Sequence, residues 1–144
     1  MGPEAMRVAG IQQTLAQFGV SVNDLGNLAG PPNPWLPPVD GYRHLTEVQA
    51  WNQAVHDAVY GSLSGGRLPI LLGGDHCLAI GSISAVARHC RDQGLTLRVL
   101  WLDAHADFNT MGTTPTGNIH GMPVAILRGM GPVELTSIGG RTPA

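Results

Sequence analysis

The chain has 144 residues, enough for one domain with a hydrophobic core, and 43% of them are hydrophobic. Its 20 glycines and 11 prolines indicate many turns, more than a simple helical bundle would use. The formal net charge is only −2 with 8 Lys and Arg residues, so we expect neither nucleic acid nor a membrane surface as a partner. No apolar run of about 18 residues occurs and residues 1–4 do not resemble a signal peptide, which favours a cytoplasmic location.

The N-terminal half of the sequence is predicted to be mainly helical. Apolar residues recur at helical spacing over residues 3–18, which indicates a first helix, and residues 20–22 could form a short strand after it. Residues 30–41 contain five prolines and predict an irregular connection. The sequence Thr-Glu-Val-Gln at residues 46–49 fits a capping box, and the helix that it opens is predicted to end near Gly61.

A strand–helix–strand unit is predicted next. Residues 68–72 and 97–102 are short apolar runs of the kind found in strands that are buried on both faces of a parallel sheet. Between them, apolar residues at helical spacing predict a helix that Gly94 closes. Such a crossover makes the two strands adjacent and parallel, so the predicted fold class is α/β. Residues 123–127 could begin another helix, and residues 129–144 are predicted to be loop.

Polar side chains follow both predicted strands, at the edge of a parallel sheet where ligands collect. Asp103, His105 and Asp107 occupy alternate positions, so in an extended chain their side chains point to the same side. Two carboxylates and an imidazole suit a divalent metal such as manganese, and the lack of a cysteine argues against a structural zinc site. His76 follows the neighbouring strand and is the natural fourth ligand, although a histidine after two glycines could simply bond a turn. Asp75 could orient a ligand or stabilise that turn.

Residues 109–121 form a third polar segment. They are rich in hydroxyl and amide groups, and their glycines allow a ligand to approach the backbone closely. Composition alone would favour an ordinary loop. Because the segment begins two residues after Asp107, we expect it to hydrogen-bond a small polar substrate beside the metal.

These motifs resemble those of the ureohydrolases. Residues 73–76, Gly-Gly-Asp-His, resemble the first motif of that family, and residues 103–110, Asp-Ala-His-Ala-Asp-Phe-Asn-Thr, resemble the second. Residues 117–123, Gly-Asn-Ile-His-Gly-Met-Pro, are similar to a stretch typical of arginases in particular, and residues 2–7 are similar to the family's first helix. The resemblance covers nearly the whole chain. It implies a three-layer α/β/α fold around a parallel sheet, of arginase/deacetylase type.

The resemblance also implies an activity and a cofactor. The expected enzyme is an arginase-like hydrolase of a linear amidine C–N bond, which converts L-arginine to L-ornithine and urea with two Mn²⁺ per complete site. His76 and Asp107 would bind one ion, His105 would bind the other, and Asp103 would bridge them. The paired ions would activate the water that attacks the guanidinium carbon.

The same resemblance assigns the proton-transfer and substrate-binding residues. His120 would be a proton shuttle or general acid. The residues implied in binding the amino-acid head group are Asn109, Thr114, Thr116 and, through water, Asn118. The family usually has serine at the position of Thr116, so the added methyl group is expected to change the fit.

One family motif has no counterpart in this sequence. A later Asp-x-Asp motif normally supplies further metal ligands, but the only acidic side chain after Asp107 is Glu134. Residues 1–144 are therefore expected to be a partial arginase-like domain, truncated at both ends and inactive by itself. A complete relative would be a homo-oligomer. The alternatives are an agmatinase or other guanidino-compound hydrolase, and a non-catalytic metal-binding fragment.

Overall fold

The computed structural model describes residues 2–140, and over this range the chain is mainly helical. The helices, in chain order, are α1 (Gly2–Val8), α2 (Ile11–Gln17), α3 (Leu45–Ser64), α4 (Ala79–Asp92), α5 (Pro123–Leu127) and α6 (Val133–Thr136). Two single 3₁₀ turns, His76–Leu78 and Ile119–Gly121, complete the regular structure of the described residues. Among these helices none combines the length and the apolar character needed to cross a bilayer.

The single helix predicted over residues 3–18 is two helices, because the chain turns at Gly10. Gly10 has a φ of 78°, in the left-handed region that a continuous right-handed helix cannot include. Arg7, in α1, forms hydrogen bonds with the loop that follows α2. Its Nε donates to Oδ2 of Asp24 at 2.7 Å and its Nη1 donates to Oδ1 of Asn27 at 2.7 Å. Residues 20–22 form no strand.

Helix α3 begins before the predicted capping box. Its N-cap is His44, which has a left-handed φ of 55° and makes no side-chain cap hydrogen bond. Thr46 and Gln49 lie inside the helix, so the capping-box prediction was wrong. The helix also continues to Ser64, past the predicted end near Gly61.

Helices α3 and α4 cross closely and form part of the core. The side chain of Asn52, in α3, is fully buried, and its Oδ1 accepts a hydrogen bond from the backbone N–H of Gly81 at 2.7 Å. A Cβ at position 81 would collide with the backbone carbonyl of Asn52, so the crossing requires glycine there. Val55 and Ala85 are buried beside this contact.

The parallel sheet predicted from the sequence is not confirmed by the structure. Residues 68–72 and 97–102 form no strands, and the only β-bridge within residues 2–140 is an isolated antiparallel pair between Val39 and Tyr42. Leu68 and Leu102 are 87% and 85% exposed, so these segments are not buried on both faces. The physical reason is that a strand needs a neighbour for its backbone groups and a cover for each face, and the described residues provide neither.

The secondary structure of the C-terminal residues agrees only partly with the sequence prediction. Helix α5 occupies residues 123–127 as expected, and the buried side chains of Ile126 and Leu135 join it and α6 to the core around Ile80. The prediction of loop over residues 129–144 was wrong at α6, which begins after Pro132. Residues 141–144 lie outside the described residues.

Candidate metal and substrate site

His76 is positioned by a short turn that Asp75 caps. The Asp75 Oδ1 atom accepts a hydrogen bond from the backbone N–H of Cys77 at 2.8 Å, which stabilises the turn His76–Leu78. Helix α4 follows this turn directly. The structure therefore gives Asp75 the turn-stabilising role. Burial raises the pKa of the Cys77 thiol, which keeps it protonated and poorly suited as a metal ligand.

The segment from Asp103 to Asp107 bends and does not stay extended. Oδ1 of Asp103 accepts a hydrogen bond from the backbone N–H of His105 at 2.8 Å, and this bond lowers the pKa of the Asp103 carboxyl group. Asp107 has a left-handed φ of 47°, and its carbonyl oxygen accepts a hydrogen bond from the N–H of Val124 at 3.0 Å. The simple alternation used in the sequence argument therefore does not describe the loop.

The bend nevertheless brings three of the four predicted ligands together. Nδ1 of His76 lies 2.9 Å from Oδ2 of Asp107 and 3.3 Å from Oδ2 of Asp103. One ligand atom from each of these residues lies within 4.8 Å of the others. Two carboxylates that face one imidazole nitrogen form a donor set that suits a hard or borderline divalent cation.

The environment of Asp107 fits a bound cation. Its side chain is only 10% exposed, and its Oδ2 atom is buried with no hydrogen-bond partner among residues 2–140. The approach of His76 is close but lacks the direction of a hydrogen bond. A buried carboxylate oxygen without a donor costs free energy, and a divalent cation would compensate that cost.

His105 lies beside this cluster and does not belong to it. Its side chain is 81% exposed, and its Nδ1 atom lies 3.3 Å from Oδ1 of Asp103. Asp103 thus presents Oδ2 to His76 and Oδ1 to His105. That arrangement is the one a bridging carboxylate between two ions would need.

The predicted substrate loop is stabilised by its own hydroxyl groups. Oγ1 of Thr114 accepts from the backbone N–H of Gly117 at 3.0 Å, and Oγ1 of Thr116 accepts from the N–H of Asn118 at 3.2 Å. The side-chain oxygen of Asn109 accepts a hydrogen bond from the hydroxyl of Thr113 at 3.1 Å. These contacts order the loop, and the four predicted head-group residues all lie on it.

The loop is also fixed to the rest of the molecule. Nε of Arg43 donates to the carbonyl oxygen of Thr116 at 2.9 Å, and the Arg43 backbone N–H donates to the carbonyl of Gly117 at 3.0 Å. Gly117 has a φ of 73°, and a Cβ there would collide with the carbonyl of Gly41. Arg43 is a positioning residue that the sequence analysis missed, since no local pattern marked it.

His120 lies outside the three-residue cluster. It is exposed in the turn Ile119–Gly121, which contacts the turn that carries His76. A cavity of about 60 Å³ is lined by residues in and beside the two turns, among them His120, Asp75 and Asn118. A larger cavity of about 400 Å³ lies on the side of His76 and Trp101.

A comparison with known proteins identifies the family. The family model described as the arginase family matches residues 1–144. The chain belongs to the arginase family. An arginase from Brevibacillus brevis is 41% identical over 143 residues, which are 99% of this chain and 47% of that protein.

Solved arginase structures show the same likeness. The native structure of Bacillus caldovelox arginase at pH 5.6 has a TM-score of 0.90 and 41% identity, covering 99% of this chain and 47% of that chain. Entamoeba histolytica arginase in complex with L-ornithine has a TM-score of 0.80 and 36% identity, covering 95% of this chain and 45% of that chain. The fold therefore falls in the α/β class of the arginases. The chain spans about half the length of the relatives it matches.

Proposed function

We propose that this chain carries a manganese-binding and substrate-binding part of an arginase, which hydrolyses L-arginine to L-ornithine and urea. The observation that carries the proposal is the convergence of His76, Asp103 and Asp107 around a buried carboxylate oxygen without a hydrogen-bond partner. Membership of the arginase family supports the proposed reaction, and the chemistry of these three side chains supports the proposed metal site.

The donor set suggests how two ions would share the site. His76 and Asp107 would hold the first ion, His105 would hold the second, and Asp103 would offer one oxygen to each. The lowered pKa of Asp103 keeps its carboxylate charged and so available as a ligand. A bound pair of divalent ions supplies Lewis-acid activation of water for attack on the guanidinium carbon.

The substrate loop is suited to bind the amino-acid head group. A threonine hydroxyl has one hydrogen to donate and two lone pairs to accept. Because Thr114 and Thr116 use Oγ1 to accept from backbone N–H groups, their O–H hydrogens are free to donate to a substrate carboxylate. Asn109 and Asn118 add amide donors on the same loop. L-Ornithine, named in the Entamoeba histolytica complex, carries such a head group.

We assign proton transfer to His120. Its exposed imidazole lies outside the cluster of His76, Asp103 and Asp107, so it is free to exchange protons with solvent. The Gly-Asn-Ile-His-Gly stretch around it favours an arginase over an agmatinase. This role requires no contact between His120 and the metal.

A second candidate is a metal-binding fragment without catalysis. The observation in its favour is the small number of ligands, because the only acidic side chain after Asp107 is Glu134. Helix α6 places Glu134 on the surface, and it belongs to no ligand cluster of the described residues. The fragment would then bind one ion through His76, Asp103 and Asp107.

One experiment separates these functions. Residues 1–140 would replace the matching part of Bacillus caldovelox arginase, and urea release from L-arginine and from agmatine would be measured with Mn²⁺. The proposal expects urea from L-arginine, lost in the His76→Ala variant and retained in His89→Ala, a control outside the cluster. Preference for agmatine would favour the other hydrolase class. A folded, manganese-loaded but inactive chimera would favour the non-catalytic fragment.

A further inference from the structure

We propose that Trp101 is a positioning residue for the metal site, whose indole ring holds the imidazole of His76 in the orientation that aims Nδ1 at Asp103 and Asp107. The inference rests on the proposed function only in taking His76 as a metal ligand. Trp101 itself has no ligand role. It acts on the metal through His76.

The two rings form a close stack. The ring centroids of His76 and Trp101 lie 4.7 Å apart and the ring planes differ by 12°. This distance and this angle are within the range for stacked aromatic rings. One face of the imidazole therefore contacts the indole, while Nδ1 at its edge approaches the two carboxylates.

The imidazole needs such support because little else holds it. The side chain of His76 is 41% exposed, and the turn that carries it has only three residues. A free imidazole can rotate about its side-chain torsions, and this freedom must be lost when the metal binds. If the ring is already oriented, less conformational freedom is lost when the metal binds. Residues beside metal ligands commonly orient them in this way.

Trp101 faces the apolar side of α4 across the larger cavity. It is partly buried and lines the larger cavity together with Ile83 and Val86. It precedes Asp103 by two residues, so one short segment supplies both the carboxylate and the ring that orients His76. Movement of this segment would displace both together.

The indole N–H provides a means of testing the role. Nε1 of Trp101 is buried and has no hydrogen-bond acceptor among the described residues. The N–H group therefore makes no contact on which the stack depends, and its burial costs free energy. Phenylalanine should keep the stack, whereas leucine should lose it while remaining apolar.

The experiment measures Mn²⁺ binding to the 144-residue chain by electron paramagnetic resonance of the free ion. The variants are Trp101→Phe, Trp101→Leu and His76→Ala. Trp51→Leu is the control, because Nε1 of Trp51 donates a hydrogen bond to the carbonyl oxygen of Pro31, away from this site. We expect Trp101→Phe and Trp51→Leu to stay within about two-fold of the parent affinity, and Trp101→Leu to lose about ten-fold. Circular dichroism establishes that each variant is folded.

The outcomes are distinguishable. If His76→Ala binds Mn²⁺ as well as the parent, the proposed metal site is wrong. If His76→Ala loses binding but Trp101→Leu does not, only the role of Trp101 is wrong. Equal losses in the Phe and Leu variants would also overturn it, because they would implicate the N–H group or bulk packing.

A second measurement needs no variant of Trp101. In the metal-free parent chain, nuclear Overhauser contacts between the ring protons of His76 and the indole of Trp101 are expected from the stack. This test applies even if Trp101→Leu does not fold. A complete lack of such contacts, with both rings assigned, would overturn the proposal.

Discussion

Nδ1 of His76 lies 2.9 Å from Oδ2 of Asp107, a contact that joins the turn before α4 to the loop that precedes the predicted substrate loop. The Asp107 oxygen is buried and has no hydrogen-bond partner among residues 2–140. Two parts of the chain thus meet at a carboxylate that lacks a donor. This is the point at which loss of a single charge should affect metal binding most.

We expect Asp107→Asn to reduce Mn²⁺ affinity by at least about ten-fold. The substitution keeps the size of the side chain but removes the negative charge that a divalent ion requires. Isothermal titration calorimetry of the parent and variant chains measures the difference. Asp40→Asn is the control, because Asp40 is exposed, lies outside the cluster and also has a positive φ, which asparagine tolerates. Equal affinities of parent and Asp107→Asn would remove Asp107 from the ligand set.

His105→Ala and His120→Ala should affect metal binding differently. Nδ1 of His105 lies 3.3 Å from Oδ1 of Asp103, so removal of this imidazole should abolish binding of the second ion and preserve binding of the first. His120 lies in another turn, outside the ligand cluster, and its removal should leave the binding of both ions unchanged. Manganese titration of the two variants in the Bacillus caldovelox chimera gives the number of ions bound. A larger loss in His120→Ala would show that the two roles are reversed.

The sequence predicted which side chains lie close together better than it predicted the sheet. Helices such as α4 were found because helical spacing is a local property of the chain. Residues 68–72 and 97–102 were predicted as strands from their apolar character, but a strand depends on neighbours that local sequence does not specify. His76 and Asp107 still meet, because the turn after Asp75 and the bend at Asp103 bring them together without a sheet.

Other features could not be predicted because they depend on distant contacts. The left-handed φ of Asp107 accompanies a hydrogen bond between its carbonyl and Val124, which no local motif indicates. Helix α3 has its N-cap at His44, although the sequence of residues 46–49 fits a capping box. The stack of Trp101 on His76 joins two segments whose relative placement only the structure provides.

We expect Asn52→Leu to destabilise the chain by about 1–3 kcal/mol, the usual cost of a buried group left without its partner. The leucine side chain cannot accept the hydrogen bond from the N–H of Gly81, which is buried at the crossing of α3 and α4. Denaturation in urea, followed by circular dichroism, measures the change. Gln53→Leu, an exposed neighbour on α3, should change stability little.

The attachment of α1 should weaken in acid. Arg7 contacts Glu4 and Asp24, and the pKa values of both carboxyl groups are lowered, for Glu4 first by its bond from Asn27 and for Asp24 by its bond from Arg7. A lowered folded-state pKa stabilises the folded state above the ordinary values of 4.5 and 3.8, and this contribution is lost as the pH falls through the folded-state values. Because these groups are exposed, the effect should be small and reduced by salt.

Hydrogen exchange of the α1 amides between pH 6 and pH 3, corrected for intrinsic exchange rates, measures this attachment. Protection should decrease toward acid in the parent chain, and Asp24→Asn should show lower protection at pH 6 with a weaker dependence on pH. Asp57→Asn, in α3, is the control because it leaves the contacts of Arg7 unchanged. A parent chain with the same protection at both pH values would contradict the assigned role of Arg7.

The 144-residue chain alone should release urea from L-arginine at a rate far below that of a complete arginase. Two ions need more ligands than His76, Asp103, His105 and Asp107 supply, since Asp103 is shared and His105 is 81% exposed. The second ion would depend on one exposed imidazole and one carboxylate oxygen, so it should dissociate readily even in excess Mn²⁺. Residues 68–72 and 97–102, whose apolar side chains include Leu68 and Leu102, should also favour self-association. The measurement is urea release by purified chain with excess Mn²⁺, with Bacillus caldovelox arginase as the reference and light scattering to follow association. Turnover close to the reference would show that this chain, or a second copy of it, completes the metal site.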